Sequence, residues 1–161
     1  MSKTSWALAA LLFVLPTATS AEPPSLEFVQ QIRGGYSAIR NSGTEPVIIT
    51  EAIFKDRVEC AFDLVIGQDR TSTLVLLDRG FLSQVDKARE ETTGASDQAS
   101  LVMKQLAYSF KRAEPGNEPG LQPGDLLPIL STGSPCHGSA VSKLEVLTSA
   151  GSIELDAAGW H

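Results

Sequence analysis

The residues of this chain with the clearest chemical potential are a cysteine and a histidine that lie next to each other. Cys136 and His137 fall within STGSPCHGSA, a stretch of small and polar residues that is typical of a loop. A cysteine beside a histidine could be a nucleophile with its base, or two ligands of a zinc site. In an exported protein the cysteine could equally form half of a disulfide, because such proteins mature in an oxidising compartment.

The N-terminal segment has the pattern of a secretory signal peptide. Lys3 precedes an apolar run of ten residues, 6–15, and the small residues Thr19 and Ala21 fit the −3 and −1 positions of a cleavage site. A membrane-spanning helix needs about 20 apolar residues, so this run is too short to span a bilayer. We therefore predict a signal peptide over residues 1–21 and a single extracytoplasmic domain over residues 22–161. This domain would be periplasmic or secreted, with no membrane span.

The number of cysteines favours a disulfide over a reactive thiol. The chain contains two, Cys60 and Cys136, and an even count in an exported chain predicts that they pair with one another. A zinc site needs three or four protein ligands, whereas His137 and His161 are the only histidines. We therefore predict the Cys60–Cys136 disulfide, with no metal and no cofactor.

An enzymatic function would have to rest on His137 or on paired carboxylates. The sequence lacks the G-x-S-x-G, Walker, G-x-G-x-x-G, H-E-x-x-H and C-x-x-C motifs. The pairs Glu59 with Asp63 and Glu90 with Glu91 could act as glycosidase acids only if burial separated their pKa values. We predict no catalytic residue. A small periplasmic hydrolase with a site near His137 is the alternative.

The charge of the chain restricts the class of partner. Without Lys3 the mature chain has 12 basic and 19 acidic residues, which gives a net charge of −7. Nucleic-acid binding needs clustered basic residues, so this balance predicts no nucleic-acid partner. It favours a basic protein partner instead. We predict a non-catalytic binding protein of the inhibitor, immunity or envelope-accessory kind. A small-ligand carrier, the other alternative, would need a hollow apolar interior.

Short β-strands dominate the predicted elements. Over residues 46–78, three β-rich runs separated by turns indicate an antiparallel meander. The middle run has the period of two that is typical of a half-buried strand. The residues expected to face the core are Val58, Cys60, Phe62 and Leu64, and those expected on the opposite face are Glu59, Ala61 and Asp63.

The remaining segments predict a few further elements. Helices are expected at 25–32 and at 81–92 from their apolar periodicity, while 97–112 fits either a helix or a strand, with a strand favoured in its second half. Pro128 favours an edge position for the strand over 125–130, and a hairpin ends the chain. These elements predict a mainly β fold, an antiparallel sandwich that is immunoglobulin-like in the loose sense, with one or two short helices. An α+β fold with an antiparallel sheet is the alternative.

Two loops are the candidate interaction surface. Residues 114–124 contain three prolines and three glycines in eleven positions, and 131–139 are the stretch around Cys136. Loops held by a rigid scaffold commonly carry recognition. The candidate contact residues are Glu114, Asn117, Glu118, Ser134 and His137.

Overall fold

The structure, a computed structural model, describes residues 23–32, 36–68, 73–90, 105, 109–131, 136 and 142–158. Strand accounts for 54% of it and is accompanied by a short helix, so the mainly β prediction is confirmed. The elements in chain order are β1 (Leu26–Ile32), β2 (Tyr36–Asn41), β3 (Ile49–Phe54), β4 (Arg57–Gly67), β5 (Leu74–Asp78), α1 (Arg79–Glu90), β6 (Phe110–Arg112), β7 (Leu126–Leu130), β8 (Lys143–Thr148) and β9 (Gly151–Asp156).

All nine strands belong to one sheet. The strand order is β1-β2-β7-β5-β4-β3-β8-β9, and β6 pairs with a further part of β4. The neighbours are antiparallel except β5 and β7, which are parallel. Because β1 also contacts β9, the sheet is nearly closed into a barrel-like shape. The sequence favoured two packed sheets, whereas the pairing of β5 with β7 joins both halves into one.

The meander over residues 46–78 forms as predicted, with β4 antiparallel to both β3 and β5. Cys60, Phe62 and Leu64 are buried in the core, but Val58 is 74% exposed, so its predicted inward position is wrong. The ladder between β3 and β4 is interrupted between Arg57 and Ala61, which pair with successive residues of β3. Val58 lies in this interruption, where the regular alternation of the strand does not hold.

Two other predictions are corrected by strand pairing. The segment 25–32, predicted as a helix, contains β1 instead, because a strand hydrogen-bonded to β2 places Leu26 and Phe28 against the core. The strand that contains Pro128 is β7, which lies between β2 and β5 instead of at an edge. The sheet accepts a proline there because the parallel pairing with β5 involves Ile129 and Leu130, after the proline.

Helix α1 covers part of the outer face of the sheet. It begins at Arg79 and is capped by Asp78, whose Oδ1 accepts a hydrogen bond of 2.9 Å from the amide of Phe81. Leu82 and Val85 on α1 are buried, and Leu82 packs against apolar side chains of β4 and β5. The helix predicted over 81–92 is therefore present, and it spans residues 79–90. Ala61, predicted on the outer face, is buried as well.

The prediction for the last hairpin is confirmed in full, and the prediction for the segment 97–112 only in part. The hairpin is confirmed as β8 and β9, joined by the turn 149–150. The strand favoured in the second half of 97–112 is confirmed only for its end, where β6 pairs with residues 65–67 of β4. It is wrong at Gln105 and Ser109, which are helical. Most of that segment, with Met103 and Tyr108, lies outside the described residues.

Candidate functional site

The disulfide predicted from the cysteine count is present. The sulfur atoms of Cys60 and Cys136 are 2.13 Å apart, their Cα atoms are 5.5 Å apart, and neither side chain is exposed. The separation of the Cα atoms is within the usual range for a disulfide. Cys136 is therefore neither a free nucleophile nor a thiolate ligand for a metal. Its neighbours Ser134 and His137, both candidate contact residues, lie outside the described residues.

The candidate loop, residues 114–124, contains two turns of the same kind. In each turn the amide of the fourth residue donates to the carbonyl of the first, at 2.9 Å for Asn117 and 3.0 Å for Asp125. Gly116 and Gly124 occupy the third positions with φ of 85° and 84°. A proline followed by a glycine with positive φ is the sequence pattern of a type II turn. The repeated Pro-Gly pairs therefore specify a definite loop conformation.

Leu121 anchors the middle of this loop to the core. Its side chain is 3% exposed, and its backbone exchanges two hydrogen bonds with Val47, of 2.8 and 3.0 Å. Both side chains belong to the main apolar cluster inside the sheet. The loop is thus fixed at its centre, while the two turns on either side stay exposed.

Asn41, which the sequence analysis did not identify, holds the loop in place through hydrogen bonds on its buried side. Its fully buried side-chain amide donates to the carbonyls of Glu45 at 2.8 Å and Leu121 at 2.9 Å. Its side-chain oxygen accepts from the amide of Gly43 at 3.0 Å, and its backbone carbonyl accepts from Gly124 at 2.8 Å. Asn-Ser-Gly is a turn signal in the sequence, but the bonds to Leu121 and Gly124 depend on tertiary structure.

The candidate contact residues of this loop present acidic groups to solvent. Glu114 and Asn117 are exposed, and Glu118 accepts a hydrogen bond of 2.8 Å from the amide of Gly116. Lys111 forms an ion pair with Glu114, and its hydrogen bond lowers the pKa of that carboxyl. Glu114 is therefore ionised at neutral pH.

The loop lies at one end of the sheet, beside the start of β1 and the turn between β8 and β9. Ser42 donates its amide to Ser25 at 3.0 Å, and Ser149 donates to Ile48 at 3.1 Å. The segment 42–48 therefore contacts all three features. We call this region, made up of residues 114–125, 42–48, Ser25 and the turn 149–150, the loop end of the sheet. The turn between β3 and β4 lies at the opposite end, where Asp56 bonds Ser142.

A second group of charged residues fastens α1 and β6 to the outer face of the sheet. Glu51 and Asp63 are directly opposite one another on β3 and β4, so their negative charges repel each other. Arg79 of α1 offsets the repulsion by pairing with both, at 2.6 Å from Asp63. Arg112 of β6 pairs with Asp63 and, at 3.0 Å, with Asp86 of α1. We interpret this arginine cluster (Glu51, Asp63, Arg79, Asp86 and Arg112) as structural.

Glu59 and Asp63, one of the carboxylate pairs that the sequence suggested, bind different arginines. Asp63 pairs with Arg79 and Arg112, whereas Glu59 pairs with Arg57 at 2.6 Å, and this hydrogen bond lowers the pKa of Glu59. The two carboxylates thus have different partners and do not form an acid–base pair. Of the other considered pair, Glu90 ends α1 and is exposed, while Glu91 lies outside the described residues.

A small pocket lies between α1 and β6. Its interior has space for about one water molecule, which is too little for a carried ligand at this position. It is lined by Leu77, Phe81, Leu82, Val85, Asp86, Arg89, Phe110 and Arg112.

Within the described ranges, no group of three or more histidine, cysteine, aspartate or glutamate side chains is arranged to hold a metal ion. In the same part of the chain, no helix has the length and apolar character needed to cross a membrane. Comparisons with protein-family models, curated proteins and solved structures found no match to this chain.

Proposed function

We propose that this chain is an exported, non-catalytic protein, periplasmic or secreted, that binds a basic protein partner through the loop end of the sheet. The observation that carries the proposal is the construction of the candidate loop. Leu121 and Asn41 hold it from the buried side, while Glu114 and Asn117 are exposed and Glu118 is partly exposed. A recognition surface needs this combination of fixed backbone and accessible side chains.

The fixed backbone lowers the cost of binding. A loop that is ordered before contact does not lose its conformational entropy on association, so more of the contact energy becomes affinity. The carboxylates supply the preference for a basic partner. A mature net charge of −7 adds long-range attraction, which accelerates the first encounter.

Export is supported by the buried disulfide, since such bonds persist mainly in oxidising compartments. We expect cleavage between Ala21 and Glu22, so the exported protein should begin at Glu22. Intact-mass measurement and N-terminal sequencing of protein recovered from outside the cytoplasm test this expectation. A mature protein that still carries Met1 would contradict it.

The binding proposal is tested by chemical cross-linking of the disulfide-intact mature protein in its native envelope, followed by association kinetics with the captured protein. We expect a basic partner whose association rate falls at least tenfold between about 0.05 and 0.5 M salt. The double variant Glu114→Gln/Glu118→Gln should slow association. Glu59→Gln removes one carboxylate near the opposite end of the sheet and should slow association by much less than half as much as the double variant.

Two results would contradict the proposal. Equal association rates for Glu114→Gln/Glu118→Gln and Glu59→Gln would show that the candidate loop is not part of the interface. Turnover of a substrate that His137→Ala abolishes would instead support the alternative, a hydrolase with a site near that histidine.

A further inference from the structure

The sheet is closed without a backbone ladder between its two ends. β1 and β9 contact each other, yet no strand pairing joins them among the described residues. One side-chain bond crosses the junction, from Nε2 of Gln30 to the carbonyl of Ala158. We call the line between β1 and β9 the seam.

Both strands direct backbone groups into the seam that have no strand partner among the described residues. On β9, Ala157 donates its amide to Ser142, and because antiparallel partners alternate, the amides of Glu154 and Asp156 point away from β8. On β1 the amide of Ser42 donates to Ser25. By the same alternation, the backbone groups of Leu26 and Phe28 point away from β2. Such unpaired edges can accept another strand.

The relative direction of the two strands indicates how a strand would fit. Along the sheet from β1 to β9, all neighbouring pairs are antiparallel except β7 with β5, so β1 and β9 run parallel. One strand inserted between them would be antiparallel to both. It would complete the closure with ladders on both sides. Strands are about 4.8 Å apart, so insertion requires the seam to widen to roughly 9.6 Å. The known obstacle across it is the Gln30–Ala158 bond.

The side chains along the seam suggest what the inserted segment would carry. Leu26 and Phe28 of β1 and Ile153 of β9 are only partly buried at the margin of the main apolar cluster. The charged side chains of these two strands are Glu27, Glu154 and Asp156. Glu27 pairs with Arg40, and Glu154 pairs with Lys55 and Lys143, so among the described residues only Asp156 has no ion pair. A basic residue of the inserted segment would therefore meet Asp156 or share a carboxylate that is already paired at the surface. Apolar side chains facing inward and basic side chains facing outward would match both features.

We propose that the seam accepts an extended segment of the partner, with alternating apolar and basic residues, as an added antiparallel strand. This inference rests on the proposed binding function and identifies a second part of the same surface. The start of β1 and the turn before β9 belong to the loop end of the sheet, so the seam opens beside the candidate loop. A partner can therefore contact both.

The test uses ten-residue peptides and the mature, disulfide-intact protein. One peptide alternates valine with lysine, the second alternates valine with glutamate, and the third is the lysine peptide with two central prolines. Fluorescence anisotropy gives affinity, and amide hydrogen exchange locates the contact. We expect the lysine peptide to bind at least tenfold tighter than the other two. It should also protect the amides of Phe28 and Glu154.

Three variants separate strand addition from simple charge attraction. Glu154→Pro removes an amide that faces the seam and leaves the β8 ladder intact, so it should weaken binding at least tenfold. Glu154→Ala loses the same side chain but keeps the amide, and should bind within threefold of the unaltered protein. Gln30→Ala removes the bond across the seam and should tighten binding. The proline-containing peptide tests the same ladder if Glu154→Pro does not fold.

Equal affinities for the lysine peptide and its proline-containing form would overturn the inference. Protection confined to residues 114–124 would also overturn it. The proposed function is judged separately by the captured partner. If that partner binds Glu154→Pro normally but responds to Glu114→Gln/Glu118→Gln, binding through the loop stands and strand addition fails.

Discussion

Val58 and Phe62 differ sharply in burial, although the alternation along β4 predicted that both face the core. Phe62 is fully buried and contacts Phe54 edge to face, with ring centroids 5.7 Å apart. Val58 is 74% exposed because it lies in the interrupted part of the ladder between β3 and β4. Alternation alone does not reveal where a ladder is interrupted, so the sequence could not distinguish these two residues.

We expect this difference to appear in stability. Phe62→Ala should lower the free energy of unfolding by roughly 3–5 kcal/mol, because it removes a buried ring and leaves a cavity. Val58→Ala should change it by less than about 0.5 kcal/mol. Urea unfolding with the disulfide intact measures both values. Similar costs for the two variants would show that Val58 also packs into the core.

Asn41 gives a second prediction, because its buried amide satisfies three backbone groups. Asn41→Ala should cost about 1–3 kcal/mol, because it removes hydrogen bonds to three backbone groups, among them the carbonyl of the buried Leu121, which then keeps its bond from Val47. Asn117→Ala, an exposed change in the same loop, should cost under about 0.5 kcal/mol. Thermal unfolding compares them. Hydrogen exchange should also show faster opening of residues 121–125 only in the first variant.

At the scale of elements, the three Pro-Gly pairs of the candidate loop differ in the backbone conformation of their glycines. Gly116 and Gly124 adopt positive φ at exposed turns, whereas Gly120 does not, and an added Cβ there would meet Pro46 at 3.4 Å, an ordinary contact. The three pairs are alike in sequence. Their difference arises because Leu121 is pulled into the core beside the middle pair.

The two kinds of glycine should respond differently to alanine. Gly124→Ala should destabilise the protein by roughly 1–2 kcal/mol, because a side chain is unfavourable in the left-handed region. Gly120→Ala has no such penalty and should be close to neutral. Chemical denaturation measures the difference. If Gly124→Ala were neutral too, the turn would not have the left-handed conformation.

Elements differed in how far the sequence determined them. α1 could be predicted because its apolar residues repeat at a helical spacing and the helix covers one face of the sheet. β1 could not, because Leu26, Phe28, Val29 and Ile32 fit a helix as well as a strand. Pairing with β2 decided between the two.

For the whole molecule, the disulfide is the main long-range constraint outside the sheet. It joins β4 to Cys136 across a sequence separation of 76. In the chain-entropy model, closing a loop of that length stabilises the folded state by roughly 4.5 kcal/mol. Domains of this size are stable by only about 5–15 kcal/mol in total. The bond is therefore a large part of the stability.

We accordingly expect the double variant Cys60→Ala/Cys136→Ala to lose about 4–5 kcal/mol of unfolding free energy. Urea unfolding of the oxidised protein and of the double variant gives the value. Asn117→Ala, an exposed change, should differ little from the unaltered protein. A double variant as stable as the oxidised protein would show that the disulfide does not constrain the unfolded chain.

The sequence by itself determined the mainly β class, the meander, the final hairpin, α1 and the partners of the disulfide. Each depends on local periodicity, on turn residues or on the number of cysteines. It also located the candidate loop through its prolines and glycines. The tertiary structure decided the single sheet, the interior position of β7, the exposure of Val58, the role of Asn41 and the seam. These features depend on pairing between segments far apart in the chain, and no local pattern of side chains records which distant strand provides the hydrogen bonds.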